Sequence, residues 1–339
     1  MKKTFMHIVR VRAKAFLRAS SALGLALACL LAPSCRKVSV EVAHSAAIGF
    51  SALETKAGAT AANIAANGSA FIVNGSLCQN AAAWSSSSDV SVFNNVVVTS
   101  NGSAWTYSPL QYWALSSKYH FRAAWPASAF GTSAATYTDG LEGNASITGF
   151  TVGTNADVDL LLSDLVEVST DASSIPSSTS MVSGKVKLTF GHLLSKVCVS
   201  VAQQDSGADL RITEVKISGM KASGSFSGTS TTGTWTTSGE AVSRSKSFST
   251  AQALDGTNFY SVWPDGLYLI PQSLSGITLS VTFQEGTSGT PQTLTANLGS
   301  SSWLQGKSYE YKATLTAKKI EFTVKVVDWV DGATVTLQK

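Results

Sequence analysis

The sequence predicts an all-β protein of two tandem sandwich domains behind an N-terminal export signal. Three observations carry that expectation. Hydrophobic residues make up 44% of the 339-residue chain and charged residues only 14%, against roughly a quarter charged in an ordinary soluble domain. Such a chain is too apolar and too weakly charged for disorder. Ser and Thr together number 85, which suits many short strands joined by turns. Beyond residue 36 the dominant hydrophobic period is two, the signature of strands with one buried face. The length suits about two domains, each large enough for its own core.

The first 34 residues read as an address. They hold six basic residues (Lys2, Lys3, Arg10, Arg12, Lys14, Arg18) and no acidic one. A short apolar stretch, Ala22 to Ala32, follows the basic segment and leads to Pro33, Ser34 and Cys35. That order is the order of a secretory signal, and the stretch is short for a membrane span. Leu31-Ala-Pro-Ser-Cys35 resembles a bacterial lipobox, which makes Cys35 the expected lipid-bearing first residue. Cys29 is a competing acceptor, and ordinary cleavage near Ser34 is the alternative. Lipid chains on Cys35 hold a chain at a membrane by burying their CH₂ groups. Setting the six signal charges aside leaves 19 basic against 21 acidic residues. The formal +4 therefore becomes −2, which removes support for a nucleic-acid partner.

The strands follow in order. Val38, Val40 and Val42 alternate with polar or small residues. Val96 to Tyr107 reads as a hairpin with Asn101-Gly102 as a two-residue turn. Ser169 to Ser180 is polar and contains Pro176, which marks the domain boundary. The expected organisation is a signal over 1–34, a first domain over 35–184 with a leading strand and trailing linker, and a second domain over 185–339. Leu210–Ile217, Ile277–Phe283 and Ile320–Val326 alternate cleanly, and the pattern reads as antiparallel sheets. Ser223 to Ser243 is expected to form a long hairpin. A short helical turn is allowed near Gly191–Leu194.

Chemistry-bearing motifs are near-misses. Gly306-Lys307-Ser308 lacks the earlier Gly of a phosphate loop, since position 301 is Ser. Gly224-Ser-Phe-Ser-Gly228 has Phe226 where a nucleophile elbow has Ser. Ser243-Arg-Ser-Lys246 is a chance match in a Ser-rich chain. His44, His120 and His192 form no ligand pair, and His120 is expected on a strand surface. Asp157-Val-Asp159 lacks the Gly and distal Glu of a calcium loop. Cys78 and Cys198 have no metal spacing and are expected as buried thiols rather than a bridge. The aromatics from Trp105 to Trp125 are expected in a core, with sugar stacking the sharper alternative. The sequons at Asn67, Asn74, Asn101 and Asn144 read as turn chemistry. No catalytic residue, cofactor or metal is expected.

Several stretches together resemble one family. They are Val186-Lys-Leu-Thr-Phe-Gly-His-Leu-Leu-Ser-Lys-Val197, Leu267-Tyr-Leu-Ile-Pro-Gln272, Trp303-Leu-Gln-Gly-Lys-Ser-Tyr-Glu-Tyr311 and Val326-Val-Asp-Trp329. Trp105 to Trp113, Tyr119 to Pro126 and Asp159-Leu-Leu-Leu162 belong to the same pattern. In this order they resemble the fimbrillin (Mfa-like) family of Bacteroides-type bacteria. The resemblance implies two transthyretin-like Greek-key β-sandwiches and a structural, non-enzymatic subunit of a cell-surface fimbria. It implies export as an outer-membrane lipoprotein, with other fimbrial subunits as partners and host or bacterial surface glycans or proteins as further ones. A glycan-binding lipoprotein or tip adhesin is the competing reading. The family's strand exchange maps onto Val38 to Phe50 as the removable strand. Lys56 then becomes the candidate maturation site, where relatives often carry Arg. A terminal strand from Lys319 to Gln338 either serves as the donor or pairs within its own domain.

Overall fold

The computed structural model describes residues 42–51, 54–55, 64, 66–80, 82–84, 89–140, 143–174, 180–205 and 207–329. Cys29, Cys35 and Lys56 lie outside the described residues, as does everything after Trp329. The described chain is built of strands, with a 3-10 turn at Ala127–Ala129.

The first large sheet runs Glu54–Thr55, Thr189–His192, Leu161–Ser163, Ser117–Trp125, Ala70–Gln79, Val90–Ser100, Trp105–Thr106. Val166–Ser169 also pairs with Ser117–Trp125. Period two decides which side chain goes where. Phe71, Val73, Tyr119, Phe121, Ala123 and Leu161 enter one core. Their sequence neighbours Ile72, Ala124 and Leu162 enter another. The sheet is therefore buried on both faces, and each fully buried large apolar side chain adds about 1.5–3 kcal/mol. A Cβ on Gly75 would lie 2.7 Å from Cδ1 of Phe121, so the ring closes over a position that only glycine leaves open.

The second core lies between two further sheets. One runs Gln292–Asn297, Thr278–Glu285, Leu210–Gly228, Ala145–Thr151, Thr136–Thr138, with Gly233–Ala253 on the other edge of Leu210–Gly228. The other runs Tyr260–Ser261, Ser195–Gln203, Lys307–Leu315, Ile320–Asp328. Val197, Val199, Ile212, Ile217, Val281, Phe283 and Tyr311 fill the space between them. The expected long hairpin is present, with Leu210–Gly228 paired to Gly233–Ala253.

Four local expectations change. Ser195–Gln203 and Lys307–Leu315 pair in parallel, from Lys196↔Ser308 to Gln203↔Leu315. More than a hundred residues separate them, room enough for the crossover that a parallel pair needs. The hairpin after Val90–Ser100 closes by Ser100↔Trp105, so its loop is the four residues 101–104. Asn101 Oδ1 accepts from the N–H groups of Ser103 and Ala104 at 2.9 and 2.7 Å, and Gly102 takes φ +85°. No helical turn forms at Gly191, because Thr189–His192 is a strand laid on Leu161–Ser163. His120 is buried, only 1% exposed, with Trp84 tilted over its ring, centroids 4.4 Å and planes 42° apart.

Candidate functional site

The leading segment is the first candidate. Val42–Ala47 pairs antiparallel with Tyr112–Ala114. The chain then turns inward: Ile48 N–H donates to Gln111 O at 2.8 Å and Tyr107 Oη donates to Ile48 O at 2.6 Å. Phe50 bridges Val186 in parallel, fastened by Val186 N–H to Gly49 O and Ser51 N–H to Val186 O. Ile48 and Phe50 are 1% and 2% exposed. The Phe50 ring sits edge-on among Phe71, Phe93, Tyr107 and Phe121 at centroid distances of 5.6 to 6.3 Å. Edge-to-face rings gain beyond their buried area. Glu54–Thr55 pairs with Thr189–Phe190, so the backbone is engaged up to the residue before Lys56.

The second candidate gathers motifs far apart in the chain. His192 Nδ1 hydrogen-bonds Asp159 Oδ2 at 2.5 Å. Trp329 lies flat on the His192 ring, with centroids 3.7 Å apart and planes 9° apart. Tyr268 stacks on Trp329 at 5.1 Å, and Lys196 Nζ stands 5.9 Å from the indole. Trp329 N–H donates to Gly306 O at 2.9 Å, and Gly306 N–H donates to Leu194 O at 3.0 Å. Gly306 has φ +66°, so the phosphate-loop near-miss is a tight turn holding the chain's last described residue. Asp159 points to His192, and Asp157 is exposed.

The remaining motif residues are fasteners too. A Cβ on Gly191 would lie 2.1 Å from Ser230 O, so the tip of the long hairpin needs a glycine there. Gln272 copies a strand partner, accepting from Lys221 N–H at 2.8 Å and donating to Lys221 O at 3.0 Å. Trp303 Nε1 donates to Tyr311 Oη at 3.0 Å. Of the aromatic run, Trp113, Tyr119 and Phe121 are fully buried, and Trp105, Tyr107 and Trp125 pack against the same core. Tyr112 is 45% exposed. No disulfide joins Cys78 to Cys198. Cys78 is buried; Cys198 is half-buried rather than buried, and burial raises its thiol pKa.

A buried polar cluster lies under Trp84. Arg122 donates to Asp139 Oδ1 at 2.7 Å and to Gly143 O at 3.1 Å. Burial lifts the Asp139 carboxyl to about 6, against the opposing pull of Arg122. Burial lowers the His120 pKa, with Arg122 adding to the effect and Asp89 and Glu167 opposing it. The two shifts act oppositely on stability. His120 is fully stabilising above its unfolded value near 6.5 and loses that contribution as pH falls through its lower folded value. Asp139 gains as pH falls through about 6. Replacing His120 by Phe keeps the ring against Trp84 and removes only the first effect. The stability of H120F relative to wild type is therefore expected to rise as pH falls below about 6.5, measured by urea unfolding from pH 7.5 to 4. A pH-independent difference would show that His120 does not titrate with folding.

Comparison with known proteins supplies the context. The family model described as fimbrillin-like matches residues 42–329. A fimbrial protein from Bacteroides vulgatus ATCC 8482 is similar at 17% identity, covering 84% of this chain and 99% of that one, with a TM-score of 0.60. A candidate cell adhesion protein from Bacteroides uniformis ATCC 8492 is similar at 19% identity, covering 84% and 99%, with a TM-score of 0.52. At these identities the structural likeness is one of fold. No curated protein sequence matches the chain.

Proposed function

This chain belongs to the fimbrillin-like family, a non-enzymatic one, and from that premise we propose that it is a structural subunit of a cell-surface fimbria, serving adhesion and joined to its neighbours by β-strand addition. The observation that carries this reading is the leading segment. It enters the first core as a separate piece, plugging it with Ile48 and Phe50. Its loss would leave a groove lined by Phe71, Phe93, Tyr107 and Phe121. A vacated strand position offers unpaired backbone groups and apolar pockets, which a neighbour's strand can satisfy.

The reading extends to residues outside the described part. Residues 1–34 are removed, Cys35 carries the lipid that tethers the precursor to the outer membrane, and a trypsin-like protease cuts after Lys56. Two transthyretin-like sandwiches belong to this reading, but strands cross the expected boundary at 184/185: Thr189–His192 pairs in the first sheet, and Thr136–Thr138 and Ala145–Thr151 join the sheet of Leu210–Gly228. Ile320–Asp328 is paired along Lys307–Leu315. The donor is therefore assigned to the residues that follow Trp329, where Ala333, Val335 and Leu337 alternate with polar residues.

Trypsin trimming of the exported chain tests this. Ladders that resist SDS and collapse on boiling are expected, with subunits beginning at Ala57. Lys56→Ala should abolish both the new N-terminus and the ladder. A monomer-only pattern after complete trimming at Lys56 would overturn the strand-addition reading.

A further inference from the structure

Gly233–Ala253 leaves one edge open. It runs 21 residues, about 70 Å of extended chain. Its inner edge pairs along Leu210–Gly228, from Arg211↔Ala253 to Gly228↔Gly233. Among the described residues no strand pairs with its outer edge. An edge of this kind presents a row of unpaired N–H and C=O groups, a template for another strand. Short length, proline or like charges normally guard such an edge. This strand is long and has no proline, and most of its residues are exposed. The ladder shifts register opposite Val242 and Ser243, where Gly219 is an extra residue on the inner strand, and again at Gly239–Glu240, where the extra residue lies on the edge strand; Ala241 to Ser247 run without an extra residue of their own.

The charges in and beside that stretch select the partner. Glu240 and Lys246 stand three residues to either side of Ser243, and all three are exposed. If a second copy lies antiparallel with Ser243 facing Ser243, each Glu240 faces the other copy's Lys246. One register thus makes two opposite-charge contacts, where like charges would have repelled. Neither Glu240 nor Lys246 has an ion-pair partner among the described residues. Arg244, beside the axis, is already turned onto its own chain, donating to Val152 O and Gly153 O at 3.3 and 3.0 Å. In this register it faces the other copy's Val242 rather than its symmetry mate.

We propose that the outer edge of Gly233–Ala253 is a lateral docking surface for a second copy of this chain, paired antiparallel about Ser243. The contact is two-fold and closes on itself, so it joins subunits side by side in pairs. It uses neither the leading segment nor any cleavage, and so goes beyond end-to-end strand addition. Its success or failure is independent of that reading.

Sedimentation equilibrium of the uncut chain tests it. The wild type is expected to dimerise as concentration rises. Glu240→Lys and Lys246→Glu should each weaken the dimer about tenfold or more, since two attractive contacts become two repulsive ones. The double variant E240K/K246E should restore wild-type affinity, because the charges have only changed places. In a Cys198→Ser background, Ser243→Cys should form a disulfide-linked dimer on mild oxidation, and Thr236→Cys, away from the axis, should not. A chain that stays monomeric throughout would overturn the proposal. So would a dimer indifferent to both single reversals, or cross-linking at position 236 in preference to 243.

Discussion

Replacing Phe50 by alanine in the uncut chain is expected to lower its unfolding free energy by about 3–5 kcal/mol. The ring is 2% exposed and meets four aromatic neighbours edge-on. Alanine there forfeits the transfer energy and leaves a cavity whose walls belong to the sheet. Those walls cannot collapse inward, because Phe71 and Phe121 are held by ladders on either side. Phe50→Leu keeps most of the volume and should cost less than half as much. Urea unfolding of the three proteins at constant pH measures the series. Equal stabilities would mean that the leading segment is not part of the folded core. The strand-addition reading adds a sharper expectation. Phe50 leaves with the trimmed segment, so polymers assembled from F50A precursor should match wild-type polymers in resistance to SDS and heat. One substitution should therefore weaken the precursor and leave the polymer unchanged.

Local pattern reached the strands and stopped at their pairing. Leu210–Gly228, Thr278–Glu285 and Ile320–Asp328 were readable because alternation is written in consecutive residues. The parallel pairing of Ser195–Gln203 with Lys307–Leu315 was not, since no neighbouring residue records a partner a hundred positions away. The same distance hides the burial of His120, which depends on Trp84 closing over it from another loop. Asn101-Gly102 marked a turn correctly but not its length, because Asn101 caps two successive N–H groups and so draws Ser103 and Ala104 into the loop. The candidate site divides along the same line. Of the alternating valines only Val42 lies among the described residues, at the start of a strand, and Ile48 and Phe50, which enter the core, lie beyond it. Only the surrounding rings distinguish Phe50 from any other apolar residue.

Trp329→Ala is expected to cost about 3–5 kcal/mol, although the residue lies at the end of an edge strand where truncation is ordinarily cheap. Most of Ile320–Asp328 is exposed, whereas Trp329 is 3% exposed. The indole stacks with His192 and with Tyr268, and the backbone N–H of Trp329 is held by the Gly306 turn. His192 in turn belongs to a strand paired with Leu161–Ser163 of the first sheet, and Asp159, its hydrogen-bond partner, lies two residues before Leu161. Trp329 therefore ties the end of the described chain to the strand that links both cores. A double-mutant cycle between His192→Ala and Trp329→Ala should return a coupling of about 0.5–1.5 kcal/mol, the range for stacked rings. A coupling near zero would mean that the two rings are merely adjacent and that each is held by other contacts. In the strand-addition reading this fastening has a mechanical consequence. Tension on a donor segment beginning at residue 330 enters the subunit through Trp329 and passes by way of His192 into the first sheet. W329A polymers should then shed subunits at lower denaturant than the loss of monomer stability alone predicts.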